Sequence, residues 1–330
     1  MADARRLFPD FDVTRSWLLD AVPALSDEDL EAYLRRLGFS ETQLAYTQRG
    51  FAGAAGEAMR NLSAQASLDE MHDNSAGEGD YRILDGYDAL LRPLASGIDL
   101  RLNTAVERVA WREHHVTVTT AGGEVFAADQ VVITLPLGVL KASVVQFEPE
   151  LPAAKRAAIE RLGVAPVLKL IYRFAEPILP DGVMALYSAL NPCMWWSPSF
   201  GQPSGDYVLT AFVTADRARE LLALGEAGAL AKGIETLQIE LDRRDLQPLE
   251  ARMVNWVEDA YSRGGYSFTP PGAIEAHDAL AQPLADTLFW AGEATAGHVW
   301  KATVHGAYAS GLRAAHQLLS VLAEKETRQV

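Results

Sequence analysis

Cysteine is almost missing from this sequence: Cys193 stands alone among 330 residues. An internal disulfide is thereby excluded, no Cys/His ligand spacing is present, and a reduced, cytoplasmic compartment is the expectation. Cations are also scarce, with 29 Lys and Arg against 44 Asp and Glu and a formal charge of −15. Nucleic acid and anionic bilayers are bound through clustered Lys and Arg, so neither partner is expected. A solvated acidic surface accounts for the balance, and cationic substrates are compatible with it. No window of about twenty apolar residues occurs, which leaves no candidate for a membrane-spanning helix. The opening "MADARRLFPDFDVTRSW" lacks the apolar run of a secretory leader, so export by that route is not expected.

What is present is an ordinary globular composition, 49% hydrophobic and 22% charged, enough for one large or two modest cores. Residues 1 to 75 read as short helices. In "ALSDEDLEAYLRRLGFS", Ser26 stands as N-cap with Asp29 placed to reach back, Leu30, Tyr33, Leu34 and Leu37 share a face, and Gly38 is the stop. Ser40 and Gln43 form a capping box for the next helix. From Tyr81 the pattern changes. "GYDALLRPLAS" predicts a helix, and Ile98, Leu100 and Leu102 then alternate with polar neighbours like a half-buried strand. "HVTVTTAGGEVFAADQVVITLP" predicts short strands around an Ala-Gly-Gly turn and a buried run, Val131 to Leu135, closed by Pro136.

Residues 147 to 276 mix a helix, "PAAKRAAIERLG", with strands "VLKLIYRF" and "YVLTAFV" and a helical stretch from Ala215 to Leu241. A patch rich in Gly, Ser and Pro, "RGGYSFTPPGA", precedes a strand-like "LFW" that breaks at Ala291-Gly292-Glu293 before an alanine-rich helix. Alternating helices and strands, split around a middle insertion, predict a discontinuous two-domain α/β protein of mixed α+β character. Its parts are a helical region over 1–80, a helix, meander and core strand over 81–146, a mixed unit over 147–276, and a closing strand and helix over 277–330.

Four stretches resemble the flavin-containing amine oxidase superfamily, the group of monoamine oxidases, polyamine oxidases and flavin-type histone lysine demethylases. They are "GYDALLRPLASGIDLRLNTAVERV", "ADQVVITLPLGVLK" running into "FEPELPAAKRAAIERLGVAPVLKLIYRF", "NWVEDAYSRGGYSF" and "FWAGEATAGHVWKATVHGAYASGLRAA". They stand in the family's order, and the polyamine-oxidase branch is the most similar in style. The resemblance implies FAD as cofactor and a small-molecule amine as substrate. It implies oxidative deamination of a primary or secondary amine, with hydride passing to flavin N5 and oxygen then yielding peroxide. It also makes 81–146 with 277–330 a Rossmann-like FAD domain, and 147–276 with 1–80 the substrate domain.

One departure stands out. Family members open with a strand, a G-x-G-x-x-G turn and a helix that bind the FAD pyrophosphate. The nearest match here, Gly50, Gly53 and Gly56 in "RGFAGAAGEAMR", has the wrong spacing and follows a helix-like segment. An incomplete FAD domain is therefore expected, corresponding to the C-terminal portion of such an oxidase and not holding FAD unaided. Missing strands leave unpaired edges and apolar surface, so a partner carrying the Gly-rich half, or self-association across the gap, is expected. The alternative is a noncatalytic, amine-oxidase-like interaction subunit. Flavin desaturases and protoporphyrinogen-type oxidases fit the Lys169 and Tyr266 stretches less well.

Candidate site residues follow. Alternation puts Lys169 with Val167 and Ile171 on an apolar face, where it is paired, reactive or snorkelling to a sheet edge. The resemblance makes it the lysine that holds a water at the flavin. It sets Trp256 and Tyr261 against the flavin and Tyr266 in an aromatic cage for the amine. Thr303 stands where other members often carry a second cage tyrosine, which implies a wider amine pocket. Trp195, with Trp196 beside it, is either pocket lining or sheet packing. Gly292 and Glu293 match the ribityl and pyrophosphate contacts, while Val106 and Pro136 match the adenine and diphosphate end. All four also read as ordinary strand or helix-start residues. Ala302, Thr303 and Val304 open the last helix, where the resemblance turns their amides towards the flavin's N1 and O2 edge. His298 and His305 lack a third ligand, so no metal is assigned.

Overall fold

The computed structural model describes residues 27–73, 75, 77, 83, 85–201 and 207–328. Helix α1 (Leu30–Arg36) begins where Asp29 accepts a hydrogen bond from the Ala32 amide at 2.8 Å, and Gly38 turns the chain out at φ +87°. Ser26, expected as that cap, lies outside the described residues. The Ser40–Gln43 capping box opens α2 (Glu41–Thr47) as expected. A π-helical turn over Gln48–Ala52 and a short helical piece over Gly53–Ala55 follow, so Gly50 and Gly53 are helical and Gly56 is the left-handed stop at φ +91°. α3 (Ala64–His72) completes the layer. Leu30, Tyr33, Leu34, Leu44 and Leu68 bury their side chains with Ala165, Val167 and Phe268.

Helix α4 (Asp88–Leu94) forms where the sequence places it, but the strand expected over Ile98, Leu100 and Leu102 does not. Those residues are 63, 61 and 73% exposed, and β1 (Val106–Arg112) starts only beyond them. Apolar alternation yields a strand only where a neighbour takes up its backbone bonds and covers its apolar side. β2 (His115–Thr120) and β3 (Val125–Ala128) complete the predicted meander. β4 (Val131–Ile133) leaves it, α5 (Leu137–Lys141) follows, and β5 (Gln146–Glu148) returns beside β1 to give the order β3-β2-β1-β5. α6 (Ala153–Arg161) starts at Pro152.

After a two-residue strand, β6 (Gly163–Val164), the chain builds its largest sheet. β7 (Val167–Phe174), β8 (Ala185–Tyr187), β9 (Met194–Trp196), β10 (Tyr207–Thr214) and β11 (Glu250–Asn255) pair antiparallel in the order β11-β7-β10-β9-β8. One face buries Leu168, Leu170, Tyr172, Phe174 and Leu209 under α7 (Ala215–Ala223) and α8 (Gly225–Glu240). Each such side chain contributes about 1.5–3 kcal/mol of apolar burial. The single helical stretch expected here is two helices, because Gly225 turns at φ +69°. β12 (Ser267–Phe268) pairs with β6, and α9 (Ala276–Ala281) leads to β13 (Leu288–Trp290), parallel to β4. The last helix, α10 (Val304–Arg328), covers Phe289 and Ala291 with Ala314.

Two lysines seal helix ends. Lys141 donates to the carbonyls of Ile159, Glu160 and Leu162 at 3.0, 2.8 and 2.9 Å, at the end of α6. Lys155, on α6, donates to Ala279, Leu280 and Gln282 at 3.1, 2.6 and 2.6 Å, at the end of α9, and lies 4.6 Å from the Trp290 ring centroid. Each ammonium meets the negative end of a helix.

Among the described residues β4 and β13 pair only with each other. Val132 is 39% exposed, and α10 shows Val304, Tyr308, Leu312 and Leu319 to solvent at 49 to 60%. Unpaired edges and exposed apolar side chains therefore do occur on this side. No described helix is long and apolar enough to cross a membrane.

Candidate functional site

The face of the five-stranded sheet opposite α7 and α8, covered in part by the N-terminal helical layer, carries Lys169. Register sets Val254, Lys169, Phe212 and Met194 side by side on β11, β7, β10 and β9. Trp196 pairs with Thr210 one row along, and Lys169 Nζ lies 5.9 Å from its ring centroid. The face is less apolar than the sequence implied. The fully buried members of β7 are Leu168, Leu170, Tyr172 and Phe174, whereas Lys169 shares a half-buried surface with Ile171 and Arg173, only Val167 being buried there. A half-buried ammonium above an aromatic face is stabilised electrostatically.

Trp195 points the other way, which corrects its reading as pocket lining. It is fully buried, 5.8 Å from the Tyr172 ring, and its Nε1 donates to the Pro192 carbonyl at 3.1 Å. Successive strand residues face opposite sides, so the tryptophan offered to the Lys169 wall is Trp196, edge-on to Phe212 at 6.3 Å.

Tyr266 reaches the same wall, packing with Val167 and Phe212. Its hydroxyl donates to the Ala54 carbonyl at 2.7 Å, and burial, helped by the negative charges of Glu70 and Glu293, pushes its pKa up. Gly56 makes this possible. At its φ of +91° a Cβ would stand 2.8 Å from the Tyr266 ring and 2.5 Å from Ala165.

Glu293 turns out to be a tie rather than an outward-facing acid. Its carboxylate accepts from the Ser267 amide at 3.0 Å, the Ser267 hydroxyl at 2.7 Å and the Ala302 amide at 2.6 Å. His277, which the sequence did not single out, holds the same turn from behind. Its Nδ1 donates to the Ala294 carbonyl at 2.8 Å, so Nε2 is left to accept from the Thr269 hydroxyl at 2.9 Å. Burial lowers the His277 pKa to about 4, against the pull of the Ala294 bond, and the nearby positive charges of Lys301 and His298 add to the lowering.

The last helix starts later than the sequence implied. Thr303 is its N-cap, accepting from the Gly306 amide at 3.0 Å and donating to the Trp300 carbonyl at 2.7 Å. Ala302 sits at φ +61° with its amide taken by Glu293, so it is not one of the open donors. The amides of Thr303, Val304 and His305 have no hydrogen-bond partner among the described residues. The turn before them is fastened to α3. His298 bonds Asp69 at 2.9 Å, Trp300 donates to Asp73 at 2.8 Å, and Lys301 pairs with Glu70 at 2.6 Å. His305 stands edge-on to the Trp300 ring at 5.5 Å.

Trp256 and Tyr261 lie in the loop after β11, 39 and 72% exposed, and the Trp256 amide donates to Val167 at 3.3 Å. Pro136 is the N-cap of α5, and α5 meets the chain just after this loop at Gly138, whose missing side chain allows the close approach. A Cβ there would lie 2.4 and 2.5 Å from the Ser262 and Arg263 carbonyl oxygens. Gly138 was legible only as a glycine placed inside a helix, where it costs about 1 kcal/mol and so marks a close approach. Val106 sits apart from the Lys169 wall, half-buried in the core shared by β1, Ile133 and Trp290.

These residues fit the ring end of a flavin. The positive end of α10 offers free amides, and a side chain at Gly292 would meet nothing nearer than the Thr134 oxygen at 4.0 Å. No G-x-G-x-x-G run occurs in the 330 residues. A cavity of about 110 Å³ opens beside Phe212 and Met194. A larger cleft of about 660 Å³, between β5 and α6, shares no residue with the Lys169 wall.

Comparison with known proteins agrees with this geometry. The family model described as flavin containing amine oxidoreductase matches residues 18–319. Polyamine oxidase 4 of Oryza sativa subsp. japonica is 33% identical over 251 residues, covering 76% of this chain and 50% of its own. Lysine-specific histone demethylase 1 homolog 2 of the same organism is 34% identical over 252 residues, covering 73% of this chain and 33% of its own. The chain thus spans about half or less of the length of these curated relatives. A solved structure of putrescine oxidase bound to putrescine shares the fold, with a TM-score of 0.77 at 18% identity over 96% of this chain and 74% of that one. The chain belongs to the flavin-containing amine oxidoreductase family.

Proposed function

We propose that this chain forms the amine-facing wall, and the surface facing the flavin ring, of an FAD-dependent oxidase for a primary or secondary amine. One observation carries the reading: the Lys169 wall and the open start of α10 are linked through Tyr266, Ser267 and Glu293. Bound FAD would take hydride from the carbon that bears the amine, leaving an imine for water to hydrolyse and oxygen to be reduced to peroxide. Lys169 holds a water and moves its proton. The ring faces of Tyr266 and Trp196 take the amine, and Thr303 bounds that pocket. The amides of Thr303 and Val304 favour negative charge on the ring edge, and Glu293 positions them through Ala302. Gly292, Trp256 and Tyr261 flank the ring. Val106 and Pro136 lie towards the adenine and diphosphate end.

A Gly-rich strand-turn-helix segment, on the same or a second polypeptide, completes the site by docking on the free edge of β4–β13 and the apolar side of α10. The lack of a G-x-G-x-x-G run in these 330 residues also favours a second reading, an interaction subunit without chemistry. The chain is purified with and without a co-expressed Gly-rich flavin-domain fragment, and the flavin spectrum and amine-dependent peroxide are recorded. Yellow, active protein is expected in the combination, with Lys169→Met markedly slower in amine-dependent flavin reduction. Folded, colourless and inactive protein in both cases would leave only the interaction subunit.

A further inference from the structure

The small cavity beside the Lys169 wall is apolar at one end and cationic at the other. Phe212 and Met194 bound the first, and Arg49, Arg60 and Arg217 bound the second. Arg60 is already matched, by Asp216 at 2.7 Å. The same carboxylate, which also lines the cavity, holds Arg219 at 3.1 Å, and Arg219 in turn bonds buried Glu57. Arg49 and Arg217 are not matched. Both are half-buried, neither forms an ion pair among the described residues, and Arg49 Nε is shielded from solvent with no hydrogen-bond partner. In a chain of net charge −15, two unpaired guanidinium groups at one cavity run against the overall balance.

Partly desolvated like charges held together cost free energy unless an anion lies between them. Guanidinium forks match carboxylate and phosphate oxygens in pairs. Arg49 is also carried by the π-helical turn, an irregularity often found at functional positions. At about 110 Å³ the cavity suits a small anionic group rather than a ring system. Its position completes the picture, since Phe212 neighbours Lys169 and Met194 neighbours Phe212. At about 5 Å per strand, the cavity end lies roughly 10 Å from the lysine, within reach of an extended aliphatic chain.

We propose that Arg49 and Arg217 bind the anionic end, a carboxylate, of the amine substrate, so that the preferred substrates are amino carboxylates and not plain diamines. This rests on the amine-oxidase reading. Melting temperatures are measured for the parent, Arg49→Met, Arg217→Met and the double variant, each with an ω-amino carboxylate, the α,ω-diamine of equal length, acetate or inorganic phosphate. Arg49→Lys tests rescue by charge alone. The amino carboxylate is expected to stabilise the parent most and to bind the double variant about tenfold or more weakly, while the diamine is indifferent to the arginines.

Equal binding of the amino carboxylate to parent and double variant would overturn the proposal. So would acetate or phosphate binding as tightly as the amino carboxylate, which would make the cavity a free-anion site. Flavin reduction by the completed enzyme then separates the two readings. Reduction that favours the diamine overturns the substrate assignment and leaves amine oxidation intact. Arginine-dependent binding without reduction by either compound leaves the anion site and overturns the oxidase reading on which the substrate assignment rests.

Discussion

The two sheets that meet at the candidate site differ in closure. In the five-stranded sheet, β10 is bonded on both sides, and α7 and α8 bury the β7, β9 and β10 side chains of one face. The β4–β13 pair has three residues per strand and no further partner among the described residues, although α10 covers one side of it. Two-stranded sheets are marginal on their own, so this pair depends on what packs around it. The wall that carries Lys169 is therefore preorganised by the chain itself, whereas the edge beside Gly292 is one on which something else can build. Substitutions in the first region should register as folding energy, and those in the second as assembly.

The sharpest way to break that contrast is at the adjacent tryptophans. Trp195→Ala is expected to cost about 4 kcal/mol in urea unfolding, because a fully buried ring is lost. Trp196→Ala, on the opposite face, should cost under about 1 kcal/mol while changing amine affinity. Equal losses would mean that the two faces are not distinct.

His277 tests the turn that joins the sheets. Its folded pKa of about 4 lies below the unfolded value of about 6.5, so the unfolded chain binds more protons between these limits. Stability is therefore complete above pH 6.5 and should fall by about 3 kcal/mol as pH drops to 4. Urea melts across that window should flatten in His277→Gln; an unchanged slope would remove the assignment.

Gly138→Ala drives a Cβ into two backbone carbonyls and should cost about 2 kcal/mol, with a loosened Trp256 loop visible as faster proteolysis. The smallest effect on folding is expected from Leu312→Glu on the exposed side of α10, within about 0.5 kcal/mol of the parent. The same change should abolish retention of a Gly-rich flavin-domain fragment in a pull-down. If it unfolds the chain instead, that surface is not open.

What could be read from residues alone follows the same division. The capping box at Ser40, the meander and the strands β7 and β10 are set by local cap chemistry and by alternation against neighbours in the same chain. The Ile98–Leu102 strand failed because alternation says nothing about whether a partner is at hand. Lys169 was legible as a lysine on a strand, but which of Trp195 and Trp196 faces it depends on cross-strand register with Phe212 and Thr210. The loss of the Ala302 amide to Glu293, and the clash that reserves position 138 for glycine, arise from contacts distant in sequence. No periodicity reports such contacts.

The lysine seals link helices that are distant in sequence. Lys141 closes α6, and α6 carries the lysine that closes α9 and rests on Trp290. The coupling is mutual: loosening α9 or β13 weakens α6 through Lys155 by as much as loosening α6 weakens them, and the Lys141 contacts extend the series to α5. Slow amide exchange should therefore be shared along this series, and Lys155→Met should raise exchange in α6, α9 and β13 together.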